Sequence, residues 1–357
     1  MQLTQETRAE RQTESQGDWQ GPLFAVGMWR SGTSLLFALM NKHPQIGLMY
    51  EGDLSLLRPL FWIRRAERKW LERWEFWNEA PKRHELESDS IPSGAFPLRT
   101  AMQSVYQLYA EQKKASIWGD KSPNYHDCLS RLAREFPDAR FLIIWRDPSS
   151  ICRSVVSAAK ENAWWGRPGM SHRTLMGYKR MKTECDRLLQ RGTRVYQIHY
   201  ETLVRDPITV MSAVCKFLDV PFVRAMASLD GADRSAIYEG KHHTLVNGER
   251  IVSSLDRSEV LSPRLKKKIE RYVCMWREQT NGEWPVVLNP PMRGCKKPSA
   301  LERAFDEIVY RYFRALDTVV IFVYCFAPLG FLKKFRAARR RAATERTSKL
   351  KGAQHSK

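Results

Sequence analysis

Residues 27–34 read Gly-Met-Trp-Arg-Ser-Gly-Thr-Ser, directly after an apolar run, Leu23-Phe24-Ala25-Val26, and directly before a helical pattern from Leu35 to Met40. A glycine turn between a buried strand and a helix N-terminus presents backbone N–H groups and the positive end of the helix dipole. That arrangement suits phosphate-like oxygens. Arg30, Ser31, Gly32, Thr33 and Ser34 are therefore candidate ligands of an anion. The spacing is that of a Walker A loop, G-x-x-x-x-G-K-[ST], except that Thr33 stands at the lysine position. Lacking that lysine and carrying Arg30 in its middle, the loop is expected to hold an anion without hydrolysing ATP.

A second grip follows a second buried run, Phe141-Leu142-Ile143-Ile144-Trp145, which ends in Arg146-Asp147-Pro148. Pro148 suits the first turn of a helix, and Ser154 falls on the second turn. Arginine can take a phosphate bidentately. In parallel α/β sheets, ligands collect beyond the C-terminal ends of the strands. Arg146 with Ser154 would hold one phosphate and the 30–34 loop another, as in a nucleotide with phosphate at both ends of its ribose.

With these motifs in place the chain resembles the sulfotransferases that use 3′-phosphoadenosine-5′-phosphosulfate (PAPS), in particular their bacterial and tyrosylprotein-type branch. Met28 to Ser34 is similar to the family's 5′-phosphosulfate loop, and Arg146-Asp147-Pro148 through Ser154 to its 3′-phosphate motif. His43-Pro44, then Ile46-Gly47-Leu48-Met49, then Glu51 stand in that branch's order. Gly119-Asp120-Lys121-Ser122-Pro123 resembles its K-x-P segment, and His199-Tyr200-Glu201-Thr202-Leu203 its Y-E-x-L segment. The likeness covers roughly residues 21–255. Trp29 replaces the family's usual proline, and residues 241–254 match its closing phosphate loop only loosely.

The resemblance implies a PAPS-dependent sulfotransferase. It would move a sulfuryl group to a hydroxyl acceptor by direct in-line transfer and release adenosine 3′,5′-bisphosphate. Such chemistry needs a base for the acceptor proton and cations on the charge gathering at the leaving phosphate. Glu51 lies just past the short strand after the loop helix and is expected to be the base, with Asp53 its rival. Lys121 and Arg30 are expected to stabilise the sulfonate and leaving group, and Tyr200 to pack near the nucleotide. His43 sits in a His-Pro turn and reads as structural. His242-His243 lacks partners at metal-ligand spacing, and no metal is expected.

These residues need a scaffold of strands that end at one edge. Alternating apolar runs and helical patterns give one. Strands are expected over 140–145 and 194–198, with another over 116–118, so that Lys121 follows a strand. Helices are expected over 54–80, 99–114, 124–136, 149–160, 171–191 and from Pro207 to Leu218, with a last amphipathic one over 262–278. The fold class is α/β: P-loop-like, a mainly parallel sheet with helices on both faces, plus a C-terminal helical extension. Trp70, Trp74 and Trp77 share one helix face beside Trp62, as a core or as the wall of a bulky apolar or lipid-like acceptor site.

The expected organisation is a polar arm over 1–20, a catalytic domain over 21–285, a helical segment over 299–332 and a basic tail over 333–357. Residues 81–97 read as a loop or lid. Seven scattered cysteines with no C-x-x-C pair point to reduced thiols and a cytoplasmic location. The net charge is +20, and the tail from Lys333 carries ten Lys or Arg against one acid. The apolar run over 318–332 falls short of the roughly 20 residues that span a bilayer. Residues 318–357 therefore suggest peripheral attachment to an anionic membrane surface, or else a core-packed or dimer-forming helix with a disordered tail. A P-loop kinase is the enzymatic alternative. A basic membrane- or nucleic-acid-binding protein is the other, although no nucleic-acid motif is visible and no such partner is expected.

Overall fold

The computed structural model describes residues 19–62, 69–87, 90–91, 97–161, 165, 167, 169–237, 251, 260–279, 296–334, 337–338 and 341. Five parallel strands form one sheet in the order β2-β3-β1-β4-β5: β1 (Leu23–Gly27), β2 (Ile46–Tyr50), β3 (Ile117–Lys121), β4 (Arg140–Trp145) and β5 (Val195–His199). The central strands are nearly continuous apolar runs because both of their faces are covered. Side chains alternate along β1. Phe24 and Val26 enter one core, while Leu23 and Ala25 enter the other.

The second of those cores is closed by α1 (Thr33–Met40), α9 (Tyr200–Arg205) and α10 (Pro207–Leu218). The first is closed by α3 (Lys69–Asn78), α5 (Leu98–Gln112), α6 (Leu129–Glu135), α7 (Pro148–Glu161), α8 (Met170–Gln190) and α11 (Pro263–Gln279). Helices on both faces of a parallel sheet make this the expected P-loop-like α/β fold, and a long C-terminal helix is added to it.

Several boundaries differ from those expected. β3 runs on to Lys121, because Asp120 and Lys121 pair in register with Met49 and Tyr50 of β2. The helix expected over 54–80 is broken into a 3-10 turn (Leu54–Leu57), α2 (Arg58–Trp62), α3 and the start of the one-turn α4 (Ala80–Arg83). Residues 123–136 form a 3-10 turn (Pro123–Tyr125) and the shorter α6. Trp70 and Trp74 are fully buried and stack with ring centroids 6.2 Å apart, so these two are core residues rather than an open wall.

Residues 299–332 fall largely on α12 (Ala300–Phe326), whose start is fixed by a capping box between Ser299 and Glu302. α12 lies against α8, α2 and α3. Among the described residues no helix is long and apolar enough to cross a membrane. Several expectations lie outside the described residues: the arm over 1–18, the closing loop over 241–254 apart from Ile251, with His242 and His243, much of the 81–97 lid, and the tail beyond 341.

Candidate active site

Each strand's C-terminal end delivers a sequence-predicted residue to the same edge of the sheet. β1 leads into Arg30–Ser34, β2 into Glu51, β3 ends on Lys121, β4 leads into Arg146 and β5 into Tyr200. The two grips read separately in the sequence are joined: Arg30 Nε donates to Ser154 Oγ at 3.0 Å, and Arg146 Nη1 donates to the Arg30 carbonyl at 2.7 Å. The Arg146 guanidinium lies 4.3 Å from the centre of the Tyr200 ring.

The loop itself is shaped for an anion. Arg30 and Gly32 both take left-handed backbone conformations, with φ of 68° and 99°. α1 starts at Gly32 with no side-chain cap and no acid in its first turn, so its N-terminal dipole is not cancelled locally. Ser31 is fully buried, and its hydroxyl has no hydrogen-bond partner among the described residues. A Cβ on Gly32 would come within 2.3 Å of the Tyr200 ring. Gly32→Ala is therefore expected to cost roughly 1–3 kcal/mol from backbone strain and the clash. A denaturant titration would read this, and unchanged stability would mean that the loop takes another shape.

The carboxylate–lysine half is equally constrained. Lys121 Nζ lies 2.8 Å from Glu51 Oε1. The lysine side chain is fully buried, while Glu51 keeps 18% exposure. Lys121 Nζ also sits 3.2 Å from the centre of the Tyr50 ring, whose hydroxyl shares a 2.8 Å hydrogen bond with Ser34 Oγ. Tyr50 thus ties the anion loop to the Glu51–Lys121 pair. Burial pushes the lysine pKa down, and the Glu51 carboxylate holds it up.

Glu51 and Asp53 both have positive φ, 51° and 57°, which non-glycine residues rarely adopt. The turn is fixed from every side. Glu51 N donates to the Lys121 carbonyl at 2.8 Å. The amides of Gly52 and Asp53 donate to the buried Asp120 carboxylate, at 3.0 and 3.1 Å. Asn78 and Arg83 hold the Glu51 carbonyl, and Trp74 Nε1 donates to the Gly52 carbonyl at 2.6 Å. Sequence reasoning missed Asp120, Asn78, Arg83 and the polar duty of Trp74. The one available signal was an acid beside the lysine in Gly119-Asp120-Lys121.

The rival carboxylate is placed differently. Asp53 is buried and takes the Ser122 hydroxyl on one oxygen and Asn124 Nδ2, at 2.9 Å, on the other. Burial, with Glu51 and Asp120 nearby, pushes its pKa up to about 7. Asn124 also accepts from Trp29 Nε1 at 3.0 Å, so the tryptophan in the loop supports the Glu51–Asp53 turn. His43 is bonded at both ring nitrogens, to the Pro221 carbonyl and the Gln45 amide, inside a structural turn.

A family profile described as the sulfotransferase family matches residues 22–224. The chain belongs to that family. It is similar to protein-tyrosine sulfotransferase 1 of Danio rerio, 23% identical over 202 residues, which are 56% of this chain and 53% of that protein. It is also similar to omega-hydroxy-beta-dihydromenaquinone-9 sulfotransferase Stf3 of Mycobacterium bovis, 27% identical over 234 residues, covering 52% of this chain and 59% of that protein. The chain thus spans little more than half the length of these relatives. A solved sulfotransferase domain from the curacin biosynthetic pathway aligns with 75% of this chain and 100% of its own, at 19% identity and a TM-score of 0.50. That likeness is one of fold. In this chain the sheet edge carries both the linked loop and the Glu51–Lys121 pair.

Proposed function

We propose that this chain is a PAPS-dependent sulfotransferase acting on a hydroxyl acceptor. The observation that carries the reading is the meeting, at one sheet edge, of an anion loop linked to Ser154 and Arg146 with a carboxylate–lysine pair. The residues fit the donor: a buried, unpartnered Ser31 hydroxyl and an uncapped helix start suit its 5′ end. Arg146 and Ser154 suit its 3′ phosphate. When bound, PAPS supplies the sulfuryl group for direct in-line transfer and leaves as adenosine 3′,5′-bisphosphate.

The chain's own residues then have distinct tasks. Glu51, on the solvent side of its pair with Lys121, receives the acceptor's proton. Lys121 and Arg30 set cations against the charge that grows between the acceptor oxygen and the leaving phosphate. Tyr200 backs Arg146 and Gly32, fixing where the phosphate grips sit. The similar proteins are named for protein tyrosine and for an omega-hydroxylated menaquinone. For this chain we favour a bulky apolar or lipid-like hydroxyl compound, and a cytoplasmic setting consistent with its scattered thiols.

Arg146→Ala tests the cofactor assignment. It should weaken adenosine 3′,5′-bisphosphate by about ten- to a hundredfold, the range for losing a charge-assisted contact. Adenosine 5′-phosphate, which lacks the 3′ group, should lose far less. Calorimetry with the two nucleotides reads the difference. Equal losses would mean that Arg146 supports the loop through the Arg30 carbonyl without reading the 3′ phosphate.

A further inference from the structure

α12 is apolar on two sides. Its body-facing side joins core residues, Tyr310, Tyr324 and Cys325, to a row of ion pairs. Asp306 takes Tyr272 Oη at 2.7 Å and Lys268 Nζ at 2.5 Å, Arg314 pairs with Asp127 at 2.7 Å, and Asp317 and Glu307 pair with Arg173 and Arg180. Its outward side is apolar. Phe305, Ile308, Tyr312, Val319, Phe322 and Phe326 fall on one stripe, and each is between 40% and 65% exposed. An ordinary surface helix keeps its outward side polar. The stripe runs the length of a helix of roughly 40 Å, at 1.5 Å rise per residue. Leu301 and Phe331, also exposed, extend it at both ends.

We infer that this face docks α12 in the plane of an anionic lipid bilayer, its apolar side chains entering the headgroup–acyl boundary. Charge decides between this and a second copy of the chain. Lys333 and Lys334 are exposed just past the helix, at the head of a tail with ten Lys or Arg and one acid. A surface bearing anionic headgroups complements that tail, whereas a second chain of net charge +20 repels it. The flanks agree. Val309, Leu316, Thr318 and Val323 border the stripe, where a coiled-coil seam carries Glu and Lys; Arg311 and Glu302 are engaged within the chain, by Glu307 and Arg271. A broad apolar face followed by a basic cluster is the pattern of an interfacial helix.

The surface is longer than the 318–332 run suggests in the sequence, since it begins near Leu301. It also adjoins the catalytic turn: Tyr324 packs on Trp77, Arg73 binds the Tyr324 and Ala327 carbonyls, and α3 holds the Gly52 carbonyl through Trp74. The attachment stands whatever the acceptor is.

Flotation of the full chain with phosphatidylcholine vesicles, with and without phosphatidylglycerol, tests the inference at low and high salt. Wild type should float with the anionic vesicles and be released by salt. Ile308→Asp combined with Phe322→Asp should cut the floated fraction at least tenfold with no change in thermal midpoint. Val260→Asp, an exposed apolar residue elsewhere, should float like wild type. Lys333→Glu with Lys334→Glu should weaken flotation on anionic vesicles independently. Wild type that stays at the bottom, or an α12 double variant that floats undiminished, overturns the inference. A dimer in sedimentation that the double variant dissociates would assign the face to a second copy instead.

Discussion

Glu51→Gln is expected to bind adenosine 3′,5′-bisphosphate as wild type does and to lose turnover by roughly 10²- to 10⁴-fold, the range for a general base. The amide keeps the shape and can still meet Lys121, but it cannot accept the acceptor's proton. The competing carboxylate is Asp53, whose pKa near 7 would by itself suit a base. Geometry argues against it: it is buried, and both of its oxygens are occupied, by Ser122 and Asn124. Asp53→Asn should therefore disturb the turn more than the chemistry. Single-turnover rates with radiolabelled PAPS would separate them. If Asp53→Asn abolishes turnover and Glu51→Gln does not, the roles are reversed.

Lys121→Met is expected to lower kcat by roughly 10²- to 10³-fold, the scale for removing one preorganised charge from a transition state. Affinity for the product nucleotide, which carries no sulfonate, should change little. Lys121→Arg should fail to rescue, because the ammonium occupies a fully buried slot 3.2 Å from the centre of the Tyr50 ring that a planar guanidinium does not fit. A variant that raises KM and leaves kcat untouched would reduce Lys121 to a binding or structural group.

The parts of this site visible in the sequence were those with local grammar. A strand, a glycine turn and a helix start within a dozen residues need no tertiary knowledge, and neither does Arg-Asp-Pro at the end of an apolar run. What escaped was long-range. Gly119-Asp120-Lys121 does not read as a strand, because charged residues normally mark its end; here pairing with β1 and β2 carries the strand through both charges. Asp120 binds the amides of Gly52 and Asp53, nearly seventy residues earlier, which no spacing rule connects. The tryptophan helix showed its apolar face, but not that Trp74 would spend its indole N–H on the Gly52 carbonyl. For α12, periodicity reveals that two faces differ. Which one turns inward is decided by long-range partners, Asp127 and Arg173 for its charges and Trp77 for Tyr324.

The convergence of all five strands on one edge bears on how the protein should respond to the nucleotide we propose for it. Residues at the ends of β1, β2, β3, β4 and β5 come from segments as far apart as Arg30 and Tyr200. A ligand spanning them resists fraying of each strand end at the same time. Binding at a hundredfold excess over Kd adds about 2.7 kcal/mol to the stability of the folded state. Spread across the sheet in this way, that gain should appear as slowed amide exchange at every strand terminus, not only in the loop that touches phosphate. The unliganded protein would then be loosest along the edge where we place its chemistry, and its midpoint of thermal unfolding would report occupancy of the site.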